Sequence, residues 1–122
     1  MIVLDTNVVI EYLRGNHHVT GTVNEYLDGK DASITYINAY ELLKYKINNN
    51  VIYDFINSID IIYPDKDSIT RSSGIFINLR SRGKMINEND ILIAGIALTG
   101  NNKFITMDHD FEKIESKNII II

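Results

Sequence analysis

Four acidic residues stand at separate places in the chain, each beside a segment that predicts regular structure. Asp5 follows a short apolar run, and Asp108 follows the mostly apolar run 104–107. Asp90 begins an apolar segment of helical character, and Glu41 lies inside another predicted helix. The carboxyl ends of parallel strands meet at one edge of an α/β sheet, where ligands bind. We therefore expect the four carboxylates to share one cleft.

Carboxylates that share a cleft repel one another and raise each other's pKa unless a divalent cation lies between them. Oxygen ligands suit Mg²⁺ or Mn²⁺, and Mg²⁺ keeps several of its waters, so each ion needs few protein ligands. Two such ions about 4 Å apart activate a water and stabilise the leaving oxygen in a phosphodiester displacement. Thr6, Asn7 and Thr106 stand beside the acids and would position the phosphate or the waters around the metal. The residues thus indicate a metal-dependent hydrolase.

Each acid also has a plain structural explanation when it is considered alone. Asp5 and Asp90 suit helix caps, although Asn87 and Asn89 suit the second cap equally well. Glu41 alone suits an exposed helix edge, and Asp108 alone suits a turn. The shared cleft is favoured because all four acids lie near the same edge of the predicted sheet.

Short apolar runs alternate with segments in which apolar residues recur at helical spacing. Strands are predicted over residues 2–4, 32–35, 59–63, 103–106 and 119–122. A first helix, which Thr6 or Asn7 can cap, is predicted to end at Gly15-Asn16, and further helices are predicted over residues 21–27, 38–48, 51–56, 67–82 and 90–99. Residues 111–114 are predicted to form a short helix or a turn. This alternation is typical of a parallel sheet covered on both faces. We therefore predict a single α/β domain over residues 1–122, with the small residues Ala94, Gly95 and Ala97 packed closely on the sheet.

The composition excludes several classes of protein. The chain of 122 residues favours one domain, and the absence of cysteine excludes disulfides, iron–sulfur clusters and thiolate zinc sites. No apolar run approaches the length of a membrane span, and the first strand begins at Ile2, which leaves no room for a signal peptide. We therefore expect a cytoplasmic protein without membrane contact. The net charge of −4 does not indicate nucleic-acid binding, but an acidic metal site would supply several of those charges.

The basic residues and histidines carry weaker signals. The basic residues form two small groups: Arg80, Arg82 and Lys84, and Lys44 and Lys46. Considered alone, both groups are typical of solvated helix ends. His17 and His18 are predicted to lie in a solvated loop after the first helix, and His109 lies beside Asp108. We assign none of the three histidines to the site.

Four segments, in order along nearly the whole chain, resemble the four motifs of the PIN domain family. They are Val3-Leu4-Asp5-Thr6-Asn7, the segment from Ile34 to Leu42 that contains Glu41, Asn89-Asp90-Ile91-Leu92-Ile93-Ala94, and Ile105-Thr106-Met107-Asp108-His109-Asp110-Phe111. Each motif is short and weak alone, but the ordered set is specific. The resemblance is greatest to the small VapC-like toxins of prokaryotic toxin–antitoxin pairs.

The resemblance implies a PIN-like three-layer α/β/α fold with a parallel sheet of about five strands. It implies an endoribonuclease that depends on Mg²⁺ or Mn²⁺ and hydrolyses RNA phosphodiester bonds. It also implies a homodimer, and a VapB-like antitoxin whose C-terminal segment covers the active cleft.

The motifs also imply roles for individual residues. Asp5, Glu41 and Asp90 match the family acids that hold the principal metal, and Asp108 matches the fourth, more variable acid. Asp110 is an alternative for that fourth position. Thr6 and Thr106 match hydroxyl positions found beside the acids, and Asn7 stands next to the first of them. The segment Arg80-Ser81-Arg82-Gly83-Lys84 precedes the third motif, where such proteins often have basic residues. The resemblance therefore makes an RNA contact through Arg80, Arg82 and Lys84 an equal alternative to a solvated helix end.

Other readings of the same residues compete with the toxin. A haloacid dehalogenase phosphatase needs a second Asp two residues after the first, where this chain has Asn7. A response-regulator receiver needs an acidic pair after the first strand and a phospho-accepting Asp directly after the third, where this chain has Tyr63-Pro64-Asp65. A non-catalytic interaction module with a PIN fold would have lost an acid, and all four are present. A PIN nuclease of RNA processing or quality control remains the alternative within the enzymes.

Overall fold

A five-stranded parallel sheet forms the centre of the molecule. The computed structural model describes residues 1–44 and 49–122. The strands are β1 (Ile2–Leu4), β2 (Ala32–Thr35), β3 (Asp60–Ile62), β4 (Lys103–Thr106) and β5 (Ile119–Ile121), and their order is β3-β2-β1-β4-β5. The predicted parallel α/β architecture is confirmed.

Helices cover both faces of this sheet. They are α1 (Thr6–Leu13), α2 (His17–Leu27), α3 (Tyr36–Leu43), α4 (Asn49–Ser58), α5 (Lys66–Ser81) and α6 (Glu88–Leu98), followed by a 3₁₀ helix (His109–Ile114). Side chains of β1 alternate between the faces, as the pleat of a strand requires. Ile2 and Leu4 pack with α1 to α4, whereas Val3 packs with α6 and the 3₁₀ helix. None of the helices in the described parts of the chain is long and apolar enough to cross a membrane.

The central strand β1 determines where the acids can meet. β1 pairs with β2 on one side and with β4 on the other, and Leu4 lies opposite Ile105 of β4. Asp5 and Asp108 therefore follow the ends of neighbouring strands, although they are far apart in sequence. The strand order, which the sequence pattern does not specify, brings the first and fourth motifs together.

The second helix begins earlier than predicted. Residues 21–27 were expected to form it, but α2 begins at His17 because the side chain of Asn16 accepts a hydrogen bond from the Val19 amide at 3.2 Å. This is an N-terminal cap. The prediction that His17 and His18 lie in a loop is therefore wrong, although both side chains are exposed.

The structure also resolves the caps of three other helices. Asp5 caps α1, which is the structural explanation considered for this acid alone, and Thr6 is the first residue of the helix. Helix α3 begins at Tyr36, two residues before the predicted start, because Thr35 caps it. Asn87, one of the caps considered for this helix, caps α6, so Asp90 lies in the first turn and is not the cap. The predicted end of α3 at Asn48, and Lys46 of the second basic group, lie outside the described residues.

Gly95 packs against a helix and not against the sheet. A Cβ atom at Gly95 would collide with the side chain of Ser72 on α5, so glycine allows α5 and α6 to approach closely. The predicted contact of Gly95 with the sheet is therefore wrong. Its neighbours Ala94 and Ala97 do pack in the core beneath the sheet, in the cluster that contains Val3.

Candidate active site

The four acids line one cleft of about 440 Å³ at the carboxyl edge of the sheet. Each comes from a different element: the end of β1, the interior of α3, the first turn of α6 and the start of the 3₁₀ helix. The lining residues are Asp5, Thr6, Asn7, Ile10, Glu41, Lys44, Asn87, Asn89, Asp90 and Asp108. None of the three histidines is among the described residues that line it.

Asp5 is a buried carboxylate that both caps α1 and faces the cleft. Its Oδ1 accepts hydrogen bonds from the Thr6 amide at 2.9 Å and from Asn38 Nδ2 at 3.2 Å. Its Oδ2 accepts a hydrogen bond from Thr106 Oγ1 at 2.6 Å, across the β1–β4 pair. Donors from three separate elements therefore fix the orientation of this carboxylate.

Glu41 is tied to the same group through a hydroxyl. Thr6 Oγ1 donates to Glu41 Oε1 at 2.7 Å and accepts from Asn38 Nδ2 at 3.0 Å. The Thr6 and Thr106 hydroxyls are thus bound to carboxylates, so they orient the acids and not a phosphate. Asn7 is exposed at the start of α1 and lines the cleft.

The sequence interpretation missed Asn38. Two signals pointed to it: it stands three residues after the strand-ending Thr35, which is the spacing of a capping box, and three residues before Glu41, which places both side chains on one face of α3. The box is present, because Asn38 Oδ1 accepts from the Thr35 amide and Thr35 Oγ1 accepts from the Asn38 amide.

Asp108 lines the cleft, whereas Asp110 does not. The Asp108 backbone amide donates to Thr106 Oγ1 at 3.0 Å, and Asp108 Oδ1 accepts from the Asp110 amide at 2.9 Å. The Asp110 carboxylate is exposed and accepts from Lys113 Nζ at 3.4 Å. Of the two candidates for the fourth acid, Asp108 has the geometry of a cleft residue.

Burial and repulsion make ionisation of Asp5 and Asp90 unfavourable. Burial raises the pKa of Asp5 above its ordinary value; hydrogen bonds from Thr106 and Thr6 oppose the shift, and the charges of Glu41 and Asp108 add to it. Burial also raises the pKa of Asp90, to about 7, and the negative charges of Asp5, Asp108, Glu41 and Asp110 contribute in decreasing order. A cation in the cleft would relieve both effects.

The donor set fits a hard divalent cation. It consists of carboxylate oxygens with hydroxyl and amide groups behind them, which suits Mg²⁺ or Mn²⁺. Within residues 1–44 and 49–122, no three Asp, Glu or His side chains are already close enough to hold one ion together. Mg²⁺ keeps several waters and needs only one or two carboxylates directly, so a cleft of partly separated acids still matches its chemistry.

The basic segment before the third motif does not line the cleft. Arg82 Nη2 donates to the Lys113 carbonyl at 2.6 Å and Nε donates to Asn78 Oδ1 at 2.9 Å, so this guanidinium anchors the end of α5 to the 3₁₀ helix. Arg80 and Lys84 are exposed outside the cleft. The cation that does line the described cleft is Lys44, at the end of α3.

Comparison with known proteins agrees with this geometry. The PIN domain family model matches residues 2–117. Ribonuclease VapC3 of Methanocaldococcus jannaschii is 32% identical over 94 residues, which cover 77% of this chain and 95% of that protein. The solved structure of VapBC-1 from nontypeable Haemophilus influenzae has a TM-score of 0.82 at 23% identity and covers 99% of this chain and 98% of its own.

A second solved structure has the same fold. VapBC2 from Rickettsia felis, bound to a DNA fragment from its promoter, has a TM-score of 0.78 at 23% identity. The match covers 100% of this chain and 98% of that chain. These two structures share the fold of the chain, and the family model and the curated relative match its sequence. The chain therefore belongs to the PIN domain family, and within that family it is related to the VapC ribonucleases.

Proposed function

We propose that this chain is a metal-dependent endoribonuclease of the VapC type, the toxin of a VapBC-like toxin–antitoxin pair. The observation that carries the proposal is the shared cleft of Asp5, Glu41, Asp90 and Asp108 in a chain related to VapC ribonucleases. The reaction is hydrolysis of a phosphodiester bond of RNA. Cytoplasmic RNA is the expected substrate pool.

The four acids would hold Mg²⁺ or Mn²⁺, which when bound activates a water for in-line attack and stabilises the leaving oxygen. The residues around them keep the acids in place. Thr106 fixes one oxygen of Asp5, and Thr6 fixes one oxygen of Glu41. The N-termini of α1 and α6 both lie at the cleft, so their helix dipoles favour a bound phosphodiester.

Lys44 is proposed as a contact to an RNA phosphate. It lines the acid cleft, and its ammonium lies 4.8 Å from the centre of the Tyr40 ring, which holds the charge near the rim. A cation at this position offsets the repulsion between the acids and the RNA backbone. Arg80 and Lys84 remain predicted RNA contacts outside the cleft.

A VapB-like antitoxin is the proposed partner, because solved structures of similar fold include a toxin–antitoxin complex and a member of the VapBC family of toxin–antitoxin systems. A homodimer is proposed as well. An apolar groove of about 450 Å³ between α5 and α6 leaves large side chains exposed, among them Tyr36, Ile69 and Leu92. A second copy of the chain would remove this surface from water.

Experiments can distinguish two alternative functions from that of a toxin. A non-catalytic module with this fold would show no metal-dependent cleavage. A nuclease of RNA processing or quality control would cleave RNA but would have no antitoxin. A small antitoxin gene next to this one would favour the toxin.

The experiment that tests the activity is cleavage of a mixed pool of labelled RNA in EDTA, Mg²⁺ or Mn²⁺. Wild type is compared with Asp5→Asn and Asp90→Asn, and Asp110→Asn is the control because its carboxylate lies outside the cleft. Cleavage by wild type and Asp110→Asn, with metal only, and loss of cleavage in the other two variants would support the proposal. Cleavage that persists in EDTA or in Asp5→Asn would contradict it.

A further inference from the structure

We infer that Asn38 is a positioning residue that holds the Asp5 and Glu41 carboxylates in the arrangement that a divalent cation requires. The inference rests on the proposed metal-dependent function and assigns a role to a residue outside the four acids. Asn38 lies in the first turn of α3, and its exposed fraction is 0%. A buried amide is costly unless its hydrogen bonds are made, so each of its contacts carries weight.

The contacts of Asn38 determine which way its amide faces. Oδ1 lies 3.1 Å from the Thr35 backbone nitrogen, which can only donate, and accepts a second hydrogen bond from Thr35 Oγ1 at 2.7 Å. Nδ2 must therefore face the other way, toward Asp5 Oδ1 and Thr6 Oγ1. An amide can make four hydrogen bonds, and Asn38 makes all four.

The direction of donation then continues to Glu41. Because Thr6 Oγ1 accepts from Asn38, the hydroxyl proton of Thr6 is free to point at Glu41 Oε1, 2.7 Å away. One amide thus fixes an oxygen of Asp5 directly and an oxygen of Glu41 through Thr6. These two acids come from different elements and repel each other, and Asn38 supplies donors to both without adding charge.

The chain offers a substitution that separates this role from helix capping. Helix α5 has a capping box in which Asp65 is the cap and serine takes the place of asparagine: the Asp65 amide donates to Ser68 Oγ at 2.8 Å. Asn38→Ser can therefore keep the box, but serine is too short to reach Asp5 and Thr6. Ser68→Ala is the matched control, because it breaks a buried capping box on α5 and leaves the donors to the acids intact.

The test is the Mn²⁺ affinity of the metal-free full chain, measured by isothermal titration calorimetry, together with kcat and KM for RNA cleavage. Asn38→Ser should weaken Mn²⁺ binding by about 10-fold to 100-fold, the usual loss when a group behind a metal ligand is removed, and should lower kcat more than it raises KM. Ser68→Ala should lower the melting temperature and leave Mn²⁺ affinity unchanged.

The outcomes separate this inference from the proposed function. If wild type binds Mn²⁺ and Asn38→Ser binds it equally well, Asn38 has no positioning role and the metal site stands. If wild type binds no Mn²⁺, the proposed function fails and the inference fails with it. Should Asn38→Ser not fold, NMR of wild type decides: Mg²⁺ must shift the Asn38 side-chain amide signals in step with binding, and unshifted signals would overturn the inference.

Discussion

The two sides of the acid cleft hold their carboxylates in opposite ways. On the β1 side, Asp5 accepts hydrogen bonds from Thr6, Asn38 and Thr106. On the α6 side, Asp90 lies in the first turn of its helix, and among the described residues no hydrogen bond lowers its pKa, which stands at about 7. Hydrogen bonds therefore orient the Asp5 carboxylate before any ligand binds, whereas none among the described residues orients the Asp90 carboxylate.

This difference assigns different tasks to the two sides. Donors that are already in place fix the oxygens of Asp5, so a cation would find them oriented and little reorganisation would be needed. Asp90 instead carries burial and repulsion that no hydrogen bond among the described residues offsets. A bound cation would stabilise the ionised form of Asp90, so metal binding at the α6 side should raise the stability of the fold.

The largest expected effect is on the stability of the β1 side. Asp5→Ala removes a helix cap and leaves buried donors without an acceptor, so the free energy of unfolding of the metal-free protein should fall by about 2–3 kcal/mol. Asp65→Ala, which removes only the cap of α5, should cost about 1 kcal/mol. Urea denaturation in EDTA measures both. Equal losses would mean that the hydrogen bonds to Asp5 contribute nothing beyond capping.

The next effect concerns the donor on β4. Thr106→Val keeps the shape of the side chain but removes the hydroxyl that donates to Asp5 Oδ2. Mn²⁺ affinity should fall about tenfold, because Asp5 is then oriented from one side only. Thr99→Val is the control, since the Thr99 hydroxyl donates to the Gly95 carbonyl within α6. If calorimetry finds the same Mn²⁺ affinity in both variants, Thr106 does not contribute to the metal site.

Substitution of Asp90 should stabilise the metal-free protein, in contrast to substitution of Asp5, and by a smaller amount. Its pKa in the folded protein, about 7, lies above the ordinary value of 3.8, so ionisation destabilises the fold fully above pH 7 and ceases to do so as the pH falls toward 4. The metal-free wild-type protein should therefore become more stable as the pH falls from 8 to 5. Asp90→Asn should gain about 1 kcal/mol at pH 8, after allowance for solvent screening, and should depend less on pH.

Denaturation in EDTA across this pH range tests the Asp90 prediction. Asp54→Asn, which changes an exposed acid of α4 outside the cleft, is the control and should follow wild type. The raised pKa of Asp5 acts in the same direction, so part of the pH dependence should remain in Asp90→Asn. Identical profiles for wild type and Asp90→Asn would contradict the proposed difference between the two sides.

The smallest effect is expected at the rim of the cleft. Lys44→Gln should raise KM for RNA about twofold to threefold, because an exposed ion pair contributes less than about 1 kcal/mol. The salt dependence of log KM should become shallower by about 0.7, the contribution of one phosphate contact to a single strand. Lys30→Gln, on the exposed turn after α2, should change neither value. Equal behaviour of the two variants would leave RNA binding to other residues.

Local features of the chain were predictable because they depend on neighbouring residues. The bounds of β1 agree with the predicted ones, since its run of three apolar residues reports burial on both faces of the sheet. Helix starts were less accurate: Asn16 and Thr35 cap helices that begin with the exposed residues His17 and Tyr36, ahead of the apolar residues from which the starts were predicted. The capping side chain, and not the apolar spacing, decided where those helices begin.

Positions that depend on contacts between distant segments were not predictable. Arg82 resembles a free cation in the sequence, but the 3₁₀ helix places the Lys113 carbonyl against it. Gly95 suggests contact with a sheet, but it allows α5 to approach. The sequence does not distinguish Asp108 from Asp110 as the fourth acid. The turn after β4 brings Asp108 to the cleft and leaves Asp110 outside it.

The sequence by itself determined the kinds of residue at the strand ends, the alternation of strands and helices, and so the parallel sheet with acids at its carboxyl edge. The tertiary structure alone decided that β1 lies between β2 and β4, and this order places Thr106 on one oxygen of Asp5 and Asn38 on the other. The physical reason is that apolar periodicity records how deeply a segment is buried, whereas strand order and hydrogen-bond partners follow from how whole elements pack together.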